Sequence, residues 1–265
     1  MRSSLAIAVA MLAFAAPLAA QTNVTPDLAT ATLGQFYVDR YAPATFTLQN
    51  SYEGRTDVLQ LGINSTTDLT NRPGGQQNSF YDTQGEKTDV TTDGSWSFTS
   101  DLFVEDSWAD PADGFVRTDM WATTTDAGGG TNFPIIGFSN YGGTVRFRGY
   151  DINNDGWSDF SSTVNFGAWN TLGMSFDAAT YTLSYFVNGA LAGSFVDNGQ
   201  STGVANVMYQ AYNFNDPALD LSDNPDYTAS WSNTPSGAVP EPATMSLLAT
   251  GLVGLAGLSR RKRRR

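Results

Sequence analysis

Phe166-Gly167-Ala168-Trp169-Asn170-Thr171-Leu172-Gly173-Met174-Ser175-Phe176-Asp177, then Tyr181-Thr182-Leu183-Ser184-Tyr185-Phe186-Val187-Asn188-Gly189, is the stretch that decides the fold. Leu172, Met174 and Phe176 alternate with Gly173 and Ser175, the period of two that sends one set of side chains to one sheet face. Tyr181, Leu183, Tyr185 and Val187 repeat the pattern. Asn188-Gly189 then tolerates the positive φ angles of a two-residue hairpin turn. Leu191, Gly193 and Phe195 resume the period on a returning strand, and Trp96-Ser97-Phe98 and Val145-Arg146-Phe147-Arg148 read likewise. Helix signals are nearly missing between the two ends of the chain. Short strands punctuated by Gly, Asn and Asp predict an all-β, antiparallel β-sandwich of jelly-roll type over residues 21–237. No internal repeat is found. Thr123 to Thr131, with Gly128-Gly129-Gly130, reads as a flexible loop, and Asn233 to Gly237 as a linker.

The two ends carry a different message. Arg2 supplies a positive n-region, Leu5 to Phe14 an unbroken apolar run, and Pro17-Leu18-Ala19-Ala20 a small-residue cleavage site. Residues 1–20 therefore read as a signal peptide, with an uncleaved N-terminal anchor as the alternative. At the other end Val239-Pro240-Glu241-Pro242 precedes an apolar run from Ala243 to Leu258, and residues 260–265 are all Arg or Lys. Proline fixes φ and lacks an N–H donor, so the Pro-Glu-Pro triplet stays extended and accessible. The run of 16 residues, with Thr244, Ser246 and Thr250 as its only polar side chains, is slightly short of the roughly 20 that span a bilayer unaided. The basic tail would stay on the cytoplasmic side.

Motif, apolar run and basic cluster in that order resemble the PEP-CTERM sorting signal of Gram-negative bacteria, here over residues 238–265. An ordinary stop-transfer anchor with a chance Pro-Glu-Pro is the alternative. The resemblance implies an exosortase as processing partner, acting near Val239, Pro240, Glu241 and Pro242. It also implies transient retention in the inner membrane by residues 243–258, and delivery to the cell surface or the extracellular matrix.

Composition removes more hypotheses than it supports. The whole chain carries −12, but the ends hold seven of its 14 basic residues, so the domain between them carries −18 (seven basic, 25 acidic). A domain this acidic repels nucleic acid and anionic lipid headgroups. Cysteine and histidine are both absent. That excludes disulfide stapling, Ser-His-Asp and Cys-His nucleophile systems, and His- or Cys-based metal centres. Carboxylate chemistry or none survives.

Residues 166–189 resemble the laminin-G or concanavalin-A-like jelly roll, in which a Trp opens a strand and an Asn-Gly or Asp-Gly turn closes a later one. The resemblance implies a polysaccharide-binding or structural role. Trp169 is expected to be a core aromatic sealing the sandwich, with a ligand contact as the other reading. Related folds include laminarinase-type glucanases, which carry a Glu-x-Asp-x-(x)-Glu strand. A retaining glycosidase needs two carboxyls about 5 Å apart, yet the domain's only glutamates are Glu53, Glu86 and Glu105, and none begins that pattern. The expectation is a non-catalytic protein that binds carbohydrate or exopolysaccharide. A carbohydrate-active hydrolase and a matrix protein with no specific ligand are the alternatives.

Two loops could hold a cation. Asp151, Asn153, Asp155 and Asp159, with Gly156 between them, match the start of an EF-hand or dockerin calcium loop, although Ser162 replaces its last carboxylate. The competing reading is a hairpin joining Arg146–Asp151 to Trp157–Phe160, with Asn and Asp present because they accept turn geometry. The acidic stretch from Asn215 to Asp226 is equally a surface loop or a cation site. Trp157, beside the first turn, is the one tryptophan expected in an exposed place and is the candidate for sugar stacking.

Overall fold

The computed structural model describes residues 21–40, 42–65, 82–214 and 225–233. The expected signal peptide, the sorting signal and its membrane segment, and most of the Asn215–Asp226 stretch lie outside these residues. Among the described residues no helix is long and apolar enough to cross a membrane.

Sixteen strands follow one another among the described residues. They are β1 (Thr22–Asn23), β2 (Tyr37–Val38), β3 (Thr45–Tyr52), β4 (Arg55–Ile63), β5 (Thr83–Asp93), β6 (Trp96–Val104), β7 (Arg117–Thr125) and β8 (Thr131–Asn132). The chain continues through β9 (Ile135–Ser139), β10 (Arg146–Asp151), β11 (Gly156–Asp159), β12 (Ala168–Asp177), β13 (Thr182–Val187), β14 (Ala190–Val196), β15 (Gly203–Tyr212) and β16 (Tyr227–Ser232). Two sheets form. The first runs β14-β13-β12-β6-β16-β4-β3, and the second β11-β10-β9-β7-β15-β5-β2. All neighbouring pairs are antiparallel except β1, which lies parallel to β6 at the margin of the first sheet. Consecutive strands repeatedly change sheet, in the manner of a jelly roll.

Local sequence accounts for the turns. Asn188 and Gly189 adopt φ of 50° and 77°, and Val187 pairs with Ala190 across them. Glu53 and Gly54, at 44° and 75°, close the β3–β4 hairpin in the same way. The expected loop at Thr123 to Thr131 proves to be structured. β7 runs on to Thr125, Thr125 pairs with Thr131 of β8, and the Asp126 carboxylate accepts the N–H groups of Gly128 and Gly130 at 2.8 and 2.7 Å. Glycine frees the backbone there, and one carboxylate pins it again.

Leu172, Met174 and Phe176 of β12, Leu183, Tyr185 and Val187 of β13, and Val207, Tyr209 and Ala211 of β15 all enter one core between the sheets. Trp96 stacks on Phe176, and Trp231 donates from Nε1 to Thr118 Oγ1. Trp169 is not part of that core. It has the opposite parity to Leu172 and Phe176, so it stands half-buried on the outer face of the first sheet, edge-on to Tyr52 and Phe103. There Arg55, ion-paired with Asp101, lies over its ring.

Candidate functional site

The second sheet turns its inner face, with Met120, Ile136, Phe138 and Phe147, to the core. Its outer face carries the alternate residues, and strand register stacks them in rows. One row runs Met208, Trp121, Ile135, Tyr150 and Trp157 across β15, β7, β9, β10 and β11. The next runs Gln210, Asp119, Gly137, Arg148 and Asp159 across the same strands. Gly137 is the position where a side chain would not fit, because a Cβ there would fall 2.1 Å from Asp119 Oδ1.

A cleft of about 400 Å³ opens over these rows, lined by Trp121, Phe133, Tyr150 and Trp157, with Arg117, Asn132, Asp155 and Tyr212 among its polar groups. Tyr150 and Trp157 meet edge to face at 5.2 Å, and Trp121 meets Phe133 at 6.0 Å. Aromatic faces of this kind offer apolar area to the ring hydrogens of a pyranose.

Cations crowd the same face. Arg117 donates from Nε to Asp119 Oδ2 at 2.6 Å, and its guanidinium carbon lies 4.6 Å from the Trp157 ring centre and 5.0 Å from that of Tyr212. Arg148 lies 3.9 Å from the Trp157 ring centre. Arg146 is ion-paired with Asp159, while Arg40 and Lys87 share Asp39. Arg148 is different: it is only 7% exposed, its Nε has no hydrogen-bond partner, and it makes no ion pair among the described residues. Burial, and then the charge of Arg117, pull its pKa down to about 10. Burial, followed by Asp155, pushes the Tyr150 hydroxyl up.

Of the residues singled out from sequence, Trp157 lines the cleft, held on a strand rather than in a loop. Asp151 and Gly156 are paired across a tight hairpin turn whose Asp155 has φ of 46°. Asp151 accepts from the Asn153 backbone at 2.9 Å and from Asn154 Nδ2 at 2.6 Å, and Asn153 is tied to Val196 and Asn198. Asp159 is not brought to this group. It sits three residues along β11, on the order of 10 Å away at strand rise, and holds Arg146. Among the described residues no three carboxylates converge in a metal-binding cluster.

None of the three glutamates lines the cleft. Glu105 accepts from the Tyr52 hydroxyl at 2.6 Å, on the side of the first sheet. Glu53 lies in the β3–β4 turn, and Glu86 faces away from its neighbours Gly85 and Lys87 on β5. The contributions of Arg117, Arg148, Trp121 and Tyr150 to the site were not expected from sequence. Strands far apart in the chain bring them together, and only the parity of Arg146, Arg148 and Tyr150 on one strand signals a shared face.

Residues 238–264 match the PEP-CTERM protein-sorting motif. No curated protein matches the chain. Among solved structures it is similar to a sialidase (9% identity, TM-score 0.44, over 75% of this chain and 16% of that one). It is also similar to the Crh5 transglycosylase in complex with NAG (11%, TM-score 0.44, 79% and 83%). A third is the carbohydrate-binding module CBM66 from Bacillus subtilis (12%, TM-score 0.37, 67% and 91%). Likeness this distant carries nothing about function.

Proposed function

We propose that this is an exported, exosortase-processed surface or matrix protein whose concanavalin-like sandwich binds polysaccharide, without catalysis, in the outer cleft of the second sheet. The observation that carries this is the aromatic row Trp121–Tyr150–Trp157 lining a 400 Å³ cleft, with no glutamate in it and with Asp119 held by Arg117. Such a cleft can stack and orient a sugar, but it offers no free pair of carboxyls to protonate a leaving group and attack the anomeric carbon. The test uses the full chain in mild detergent against a glycan array and against soluble polysaccharides, with release of reducing ends measured in parallel. Binding that falls at least tenfold in Trp157→Ala, with no turnover, is expected. Turnover abolished by Asp119→Asn would make it a hydrolase, and no binding to any glycan would leave a structural matrix protein.

The sorting signal predicts a second result. Replacing Pro240, Glu241 and Pro242 with alanine should leave a membrane-retained precursor of unchanged size, whereas deleting residues 239–265 should give a protein that no longer sediments with membranes. Normal processing of the alanine variant in cell fractions would overturn the exosortase role.

The Asp151–Asp159 hairpin, we propose, works as a turn without a resident ion, because the Asp151 oxygens are taken up within the turn and Asp159 is taken by Arg146. A calcium site at 100-fold saturation would add about 2.7 kcal/mol to stability. Melting curves in chelator and in millimolar calcium should therefore coincide; a rise of several degrees, lost in Asp155→Ala, would restore the calcium reading.

A further inference from the structure

A domain of −18 has no need of cations for solubility, yet it does not scatter the few it has. Of its seven basic residues, Arg40, Lys87, Arg117, Arg146 and Arg148 all stand on the outer face of the second sheet. Three aspartates, Asp39, Asp119 and Asp159, serve four of them. Arg148 is left over, nine-tenths buried, with its Nε unsatisfied.

A buried guanidinium with no ion pair is an expensive arrangement, since the attraction of Asp119 and Asp159, each already held by another arginine, repays its desolvation only in part. The Trp157 face against it returns about 2 kcal/mol and accepts no conventional hydrogen bond. Arg117 adds a second incomplete donor set. Its Nε is taken by Asp119, while no hydrogen bond of its Nη1 or Nη2 is found among the described residues, and it lines the cleft. Two guanidiniums thus lie against one indole ring, while Asp119 and Asp159 are ion-paired with Arg117 and Arg146 and Asp155 is the one carboxylate among the cleft's lining residues.

We propose that the cleft selects anionic sugars: a glycan unit that bears a carboxylate, whose ring lies along the aromatic row and whose carboxylate is received by Arg117 in the lining, with the buried charge of Arg148 behind Trp157 adding to the attraction. A guanidinium is a planar fork that matches a carboxylate's two oxygens. A neutral sugar would leave that fork unfilled. The acidic exterior sharpens the selection, because a polyanion approaches this protein against the mean field and gains only at the site. This inference rests on the polysaccharide-binding reading and narrows its ligand class.

The experiment compares polygalacturonate and alginate, each with its carboxyl-esterified form, together with neutral β-glucans, using the full chain in mild detergent. Esterification removes the charge and keeps the backbone. At least tenfold tighter binding to an acid form than to its ester is expected. Arg117→Gln should lose tenfold or more toward the acid form and bring the acid-to-ester ratio toward one, Arg148→Met should lower the same ratio by a smaller factor, and their melting curves report that they are folded. The acid-to-ester ratio of the wild type tests the point without any variant. Equal binding of acid and ester, or a preference for neutral glucans that Trp157→Ala abolishes, would overturn anion selectivity and leave the cleft as a sugar site. Absence of binding to every glycan would overturn both.

Discussion

Raising the pH from 9 to 11 should lower the stability of this protein by about 3 kcal/mol, before its core tyrosines titrate in the native state. Tyr185, Tyr209 and Tyr227 are buried, and each hydroxyl is used inside the sandwich. Tyr185 donates to the Tyr150 carbonyl at 2.6 Å, Tyr227 donates toward the carbonyls of Tyr212 and Arg117 at 2.7 and 2.8 Å, and Tyr209 lies against Ser100 and Asn233. Burial pushes all three up, Tyr209 to about 12 and the other two further. The unfolded chain releases these protons near pH 10 and the native state does not, so the stabilisation is whole below pH 10 and is lost as pH rises above it. At pH 11 each contributes a loss of about 1.4 kcal/mol, about 4 kcal/mol together. Arg148 acts in the opposite sense, because its lowered pKa lets the native state shed an unwelcome charge first, and it returns about 1 kcal/mol. A net loss of about 3 kcal/mol is a large part of an ordinary domain's 5–15 kcal/mol. Phenolate absorbance and near-UV circular dichroism followed together test this. Native dichroism persisting while all eleven tyrosines ionise near pH 10 would contradict it, and Tyr227→Phe should move the alkaline midpoint upward relative to its own neutral stability.

What was legible in the sequence was what is local or periodic. Asn188-Gly189 specifies its own turn, and the parity of Leu172, Met174 and Phe176 specifies a buried face, so the hairpins of the first sheet could be read directly. The same parity places Trp169 outside, because strand period, not the residue's aromatic character, decides which face it occupies. The calcium spacing shows the complementary ambiguity. Positions 1, 3, 5 and 9 converge only if the backbone wraps around an ion, whereas the alternation from Arg146 to Tyr150 draws the chain into a strand and carries Asp159 away from the turn. The cleft itself was legible only in part. Trp157 stood out for its neighbours in sequence, but its true neighbours, Arg117, Arg148 and Tyr150, come through the registers β7–β9, β9–β10 and β10–β11. Those registers depend on packing across the whole sandwich. An arginine on the outward parity of a strand reads in sequence as a solvated charge, and only burial shows that Arg148 is not one.

Arg148→Met should therefore melt higher than the wild type at pH 7. The lowered pKa measures how poorly the site tolerates the cation: the fall from the ordinary 12.5 to about 10 corresponds to a burden on the order of 3 kcal/mol. Methionine keeps much of the unbranched stem that packs in the sheet row and places a polarisable sulfur against Trp157. It forfeits a cation–π contact of about 1–2 kcal/mol and relieves the repulsion with Arg117. A net gain of about 1–2 kcal/mol follows, or on the order of 2–4 °C in Tm for each kcal/mol. Calorimetry on both proteins decides the matter, provided an anionic-glycan binding assay accompanies it. A variant that is more stable and binds less marks Arg148 as a group the fold tolerates for the sake of a ligand. A drop in Tm of the size seen for cavity-forming core changes would instead make Arg148 part of the framework, with Trp157 and Asp119 as its structural partners.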